Sequence, residues 1–332
     1  MWPKRCWPPN AADIYDHGSF ANRHGGNVTL DPAAAGLLEL LEALGIPDIE
    51  TMTPEECRTA FDALRDPEAP VAEVAAMDQR EVAGVPVRVY TPAGDGPFPV
   101  LVWIHGGGWV MGSAEDADPT SRELCTRADC VVVSVDYRLA PEHQFPAGVE
   151  DVLAVSRWVT EHAGELGGDP GRLAVGGDSA GGNLAAVVAQ QLPGVFGFQV
   201  LVYPAVDLTL SHPSIDENAE GYLLTKASME WFVGHYLGGL DVDVKDPMIS
   251  PLFAAETVFA QCPPALVITC GYDPLRDEGQ AYADKLEANA VAVERLSYDD
   301  QIHAFYTMHL AIPAAYEALE ATSRALKGAW AS

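Results

Sequence analysis

The chain has 332 residues, 48% of them hydrophobic, which is enough for one large core or two ordinary domains and too apolar for a disordered segment. Lys and Arg number 19 against 48 Asp and Glu, a net charge of -29, which argues against the basic footprint that nucleic acid or an anionic membrane needs. No run approaches the roughly 18 apolar residues of a membrane span, and six cysteines without C-x-x-C spacing read as reduced thiols rather than a disulfide framework.

The start, "MWPKRCWPPNAAD", has Lys4 and Arg5 but no apolar run behind them, so no secretory signal is expected and the location is predicted to be cytoplasmic. Residues 1–66 read as helical after an irregular opening. In "DPAAAGLLELLEALG", Asp31 is an N-cap, Pro32 takes the first helical position and Gly45 follows the end. "TPEECRTAFDALRD" repeats the pattern, with Thr53 as cap and Glu56 three residues on.

The rhythm then changes. "VPVRVYTP" alternates as a half-buried strand does, whereas "PVLVWIH" and "CVVVSVDY" are continuous apolar runs suited to burial on both faces. "RLAVGG", "FQVLVYP" and "PALVITCG" are three more, and "AVERLSY" alternates again. Helices are predicted between them at 120–129, 147–162, 180–191, 278–289 and 313–327. Strands alternating with helices indicate a parallel sheet covered on both faces. Residues 205–250 break the alternation, with Tyr222, Leu223, Leu224, Trp231, Phe232 and Tyr236 at roughly helical spacing. They read as an insertion packed on the sheet's active edge.

Four stretches carry chemistry. "GGDSAGG" (176–182) puts Ser179 between a strand and a helix among residues with almost no side chain, as a sharp nucleophile turn requires. "WIHGGGWVMG" (103–112) leaves backbone N–H groups bare at the end of an earlier strand, suited to an oxyanion. Gly107 and Gly108 are the expected donors there, with the N–H of Ala180, while His105 reads as a structural pin of the loop. A serine needs a base. His303 lies just past the last strand on the same sheet edge as Ser179, with His309 a weaker alternative; His17, His24, His162, His212 and His235 fall in terminal, helical or cap segments. The orienting carboxylate is Asp273, just beyond a strand, with Asp277 as its competitor and Asp299 and Asp300 too near His303. Trp109 and Asp178 beside the glycine motifs, with Tyr222, Leu224, Trp231 and Phe232 of the insertion, are candidate substrate-pocket residues.

"HGGGW", "YRLAPEHQFPA" (137–147), "GDSAGGNLA" (177–185), "DPLRDEG" (273–279) and the His303 loop, taken together and in this order, resemble the hormone-sensitive-lipase family of esterases, the bacterial family IV type. The resemblance spans about residues 100–306. It implies an α/β-hydrolase fold, a mostly parallel eight-stranded sheet with helices on both faces and a helical cap, and no cofactor. On that reading 1–66 is an N-terminal cap segment, 67–204 with 251–332 the catalytic domain, and 205–250 the cap insertion. It further implies a serine carboxylesterase acting on small-molecule esters of short to medium chain length, with Ser179 as nucleophile, His303 as base and Asp273 as its orienter. An amidase or aryl formamidase would share the triad, and a non-catalytic receptor on the same fold would lack the histidine that stands here. Trp109 departs from the smaller groups common after the glycines. "DVDVKDP" (241–247) lacks the glycine and final glutamate of a calcium loop and reads as a solvated turn, so no metal is expected. A monomer and a homodimer paired through the last strand both remain open.

Overall fold

The computed structural model describes residues 28–65 and 69–331, so the irregular opening, Cys6, His17 and His24 lie outside the described residues. Helices α1 (Pro32–Leu44) and α2 (Pro54–Asp62) start and stop where the capping signals put them. The Asp31 carboxylate accepts from the N–H groups of Ala33 and Ala34, and Gly45 closes α1 at φ 66°. Thr53 and Glu56 form the reciprocal capping box of α2.

Eight strands follow: β1 (Ala76–Val82), β2 (Val85–Thr91), β3 (Phe98–Ile104), β4 (Val131–Val135), β5 (Gly168–Asp178), β6 (Phe198–Val202), β7 (Ala265–Tyr272) and β8 (Val293–Ile302). They form one sheet in the order β1-β2-β4-β3-β5-β6-β7-β8, antiparallel at β1–β2 and β2–β4 and parallel elsewhere. Seven of them coincide with the apolar or alternating runs. The eighth, β1, has no counterpart among those runs, because it is mostly exposed and its sequence, "AMDQREV", is largely polar. A two-residue turn with positive φ at Ala83 and Gly84 joins it to β2.

The pleat sends alternate residues of β3 to opposite cores. Val100, Val102 and Ile104 pack with α4 (Ala147–His162), α5 (Ala180–Gln191) and α9 (Arg276–Ala288). Leu101 and Trp103 pack with α3 (Asp118–Ala128) and α10 (Ala314–Ala331) on the other face. These are the five predicted helices, each within four residues of its expected ends. The chain passes from β3 to β4 on one side and then returns to β5 on the other, so the crevice lies between the carboxyl ends of β3 and β5, where Ile104 is paired with Gly177. In an open parallel sheet such a reversal is where ligands bind. Both glycine motifs sit at it.

The 205–250 segment contributes α6 (Pro213–Glu217) and α7 (Lys226–Leu237), and α7 packs against the short 3-10 turn Ile49–Thr51. Helix α1 is tied to the end of β8, where the N–H of Asp31 donates to Asp300 O at 2.8 Å. The turn at 241–247 is largely exposed, and its Asp243 and Asp246 carboxylates accept from backbone N–H groups two residues on. Helix α8 (Glu256–Phe259) leads back into β7.

Candidate active site

Ser179 occupies the sharp turn from β5 into α5 with φ 57° and ψ -120°, a region that L-residues seldom enter. Its N–H donates to Val202 on β6 at 2.9 Å, and its carbonyl accepts from Asn183 at 3.0 Å, so both neighbours hold the strained backbone. The small residues around it answer a steric demand. A Cβ at Gly177 would run into the carbonyls of Ile104 and Gly181, and one at Gly181 into those of Ile104 and His105. Only glycine lets β5, α5 and the end of β3 approach this closely.

β7 delivers Asp273 and β8 delivers His303 to the same rim. Asp273 is fully buried; its Oδ1 accepts from the Leu275 N–H at 2.8 Å and its Oδ2 lies 2.8 Å from His303 Nδ1. His303 Nε2 lies 2.9 Å from Ser179 Oγ. An ionised carboxylate only accepts, so the imidazole proton belongs on Nδ1 and the Nε2 lone pair faces the serine hydroxyl. Tyr203, with φ 35°, lays its ring against the imidazole at 4.5 Å. The competitors are engaged elsewhere. Asp277 accepts from the Ser214 N–H at 2.9 Å and from Arg276 at 2.8 Å. His309 is buried against Tyr316, and that burial lowers its pKa.

The second motif forms a tight loop in which Gly107 (φ 109°), Gly108 (φ 60°) and Trp109 (φ 61°) all have positive φ. Gly107 O accepts from Val110 and Met111 at 3.1 and 2.9 Å, and the N–H groups of Gly107 and Gly108 have no protein acceptor among the described residues. The N–H of Ala180 is another orphan donor, in the first turn of α5. His105 behaves as the pin that the sequence suggested: it is buried, its Nδ1 lies 2.7 Å from Gly106 O, and its ring stacks on Tyr137 at 4.4 Å. Tyr137 in turn donates its hydroxyl to His105 O at 3.0 Å, and the Ala140 N–H donates to Trp109 O at 2.9 Å. The "YRLAPEHQFPA" stretch therefore braces the loop, a role for which its sequence carried no separate signal.

The expected pocket residues divide. Phe232 is buried with its ring pressed on Gly108, leaving no room for a Cβ there, and Trp231 meets it edge to face at 5.2 Å. Two others are corrected. Trp109 is 2% exposed, because its strained backbone turns the indole into the core, where it stacks on Tyr236 at 4.7 Å and 4°. Asp178 is buried as well, with its carboxylate against Gly106. Burial pushes its pKa up to about 6, opposed by the nearby His303 and the Gly106 N–H. Leu224 packs in the main core, and Tyr222 leans on Tyr272 at 4.9 Å.

Residues 101–307 match the Abhydrolase_3 family, an alpha/beta hydrolase fold. This chain belongs to it, in the hormone-sensitive-lipase-like branch. It is 44% identical over 250 residues to carboxylesterase NlhH of Mycobacterium tuberculosis, covering 74% of this chain and 78% of that protein. It is 35% identical over 318 residues to an ethyl acetate hydrolase of Pseudomonas putida, covering 90% and 99% respectively. Among solved structures, an alanine mutant of an alpha/beta hydrolase enzyme from the metagenome of Lake Arreo superposes with a TM-score of 0.87 at 39% identity, over 92% of this chain and 99% of the other. The expected α/β-hydrolase architecture is therefore what the chain adopts. No helix among the described residues is long and apolar enough to cross a membrane.

Proposed function

We propose that this carboxylesterase hydrolyses short- to medium-chain esters through an acyl-enzyme on Ser179. The observation that carries the reading is the unbroken run of two hydrogen bonds from Asp273 through His303 to the Ser179 hydroxyl, beside a loop with unused N–H donors. Relatives named as esterases support the reaction class. His303 takes the serine proton as Oγ attacks the ester carbonyl, and the oxyanion is held by the N–H groups of Gly107, Gly108 and Ala180. The imidazolium then protonates the departing alkoxide. Water, deprotonated by the same imidazole, attacks the acyl-enzyme and releases the acid. Such donors are worth roughly 3–4 kcal/mol each where they have been removed one at a time.

The acyl or alcohol group must lie beside Gly108, where the Phe232 ring closes the space, which favours small groups on that side. The test of the reading is Ser179→Ala with p-nitrophenyl butyrate and a fluorophosphonate probe. The variant should lose about 10⁴-fold or more in kcat and all labelling; substantial turnover would remove Ser179 from the mechanism.

A further inference from the structure

We propose that Arg58 on α2 is a positioning residue for ester hydrolysis, clamping the exit of the glycine loop so that its N–H groups stay aimed at the oxyanion. The inference rests on the role proposed above for that loop. Three consecutive positive φ angles, one of them at a tryptophan, describe a backbone that keeps its shape only if its surroundings over-determine it. The entry is held by Tyr137 on His105. At the exit, one guanidinium meets two carbonyls. Arg58 Nε donates to Val110 O at 2.7 Å, and Nη2 donates to Ala140 O at 2.8 Å. Ala140 is the residue whose N–H holds Trp109 O, so one side chain ties both strands of the loop's last contact.

Glu142 completes the arrangement. Its two oxygens accept from Nη1 and Nη2 of Arg58, both at 2.8 Å, in the parallel fork that only a guanidinium can make. The Glu142 side chain is 55% exposed, so the ion pair by itself contributes little, and its use is to fix the plane in which Arg58 meets the two carbonyls. Beside it, Cys57 Sγ lies 3.6 Å from Met111 Sδ, and the Met111 N–H donates to Gly107 O. Helix α2 therefore braces one end of the loop while Phe232 of α7 covers Gly108. Arg58 lies outside residues 101–307, in a part of the chain that the family match does not reach.

A clamp of this kind acts on the transition state rather than on substrate binding, because the donors matter most once the oxyanion exists. The test uses the full chain with Arg58→Ala, Arg58→Lys and Ser179→Ala, each verified as folded by circular dichroism and assayed well below its melting temperature. Arg58→Ala should lower kcat by about 10- to 100-fold with KM changed less than about threefold. Affinity for a trifluoromethyl ketone, whose adduct carries the oxyanion, should fall by the same factor as kcat. Millimolar guanidinium should restore part of the rate. Arg58→Lys, which supplies charge but cannot span both carbonyls, should recover only a fraction, and it provides the same readout if the alanine variant does not fold. A folded Arg58 variant with unchanged kcat and ketone affinity would overturn the clamp. An active Ser179→Ala would instead overturn the reading beneath it.

Discussion

Asp273, just past β7, and Asp277, in the first turn of α9, are four residues apart, and geometry assigns them different work. Asp273 faces His303, whereas Asp277 closes the turn at Ser214. Asp273→Asn should reverse the imidazole tautomer and slow p-nitrophenyl ester turnover by about 10⁴-fold, while Asp277→Asn should leave kcat within about threefold. The opposite pattern in steady-state assays would misplace the acid. Asp178 poses a different problem, because burial raises its pKa from the ordinary 3.8 to about 6. Between those values the folded chain holds a proton that the unfolded chain has lost, so its contribution to stability is present below pH 4 and is lost as pH rises through 6. Asp178→Asn keeps the shape without the charge. Its melting temperature should therefore gain on the parent as pH rises from 4 to 7, then level off, for a total of at most about 3 kcal/mol. A gain largest at pH 4 would contradict this. Ser179, Asp273 and His303 were legible because each follows a strand in the chain order of the fold. Arg58 and Tyr203 were not, because nothing local distinguishes an arginine that meets two distant carbonyls or a tyrosine ring that lies on an imidazole.

At the scale of elements, α7 decides how much room the site has. Phe232 lies on Gly108, and Tyr236 stacks on Trp109, so this one helix covers the loop twice. Phe232→Ala removes the ring that closes the space. In a series of p-nitrophenyl esters from acetate to decanoate, the chain length of highest kcat/KM should move upward by two or more carbons; an unmoved optimum would show that Phe232 only fixes α7 to the loop. Helical spacing in 205–250 did signal an apolar face, but it did not reveal which residues would meet the loop. Tyr222 and Leu224 share that spacing and pack elsewhere. The strands show the same division. Runs such as "VVVSV" must be buried on both faces and are plain to read, whereas β1 is an exposed edge whose polar residues leave no period. Its one local mark was the turn at Gly84.

For the molecule as a whole, 48 acidic residues against 19 basic ones set up self-repulsion that added salt should relieve. The same salt weakens the surface ion pairs, but most of these are at least partly exposed and contribute about 0–1 kcal/mol each. The excess charge should win. Raising NaCl from about 0.02 to 0.5 M is expected to raise the melting temperature by roughly 2–4 °C, and a fall would show that the ion pairs, such as those of Arg295 with Asp284 and Glu287, dominate.

The sequence by itself determined the alternation of buried strands with capped helices, the strand-to-helix turn at Ser179 and the glycine loop at 106–108, because periodicity, capping and backbone freedom are local properties of residue types. Tertiary structure alone decided that Trp109 and Asp178 turn inward, that Asp273 rather than Asp277 meets His303, and that helix α2 reaches the loop from outside the matched region. These outcomes depend on which faces β3, β5 and their neighbours present to one another once the strand order reverses, and that order is set by packing across residues far apart in the chain.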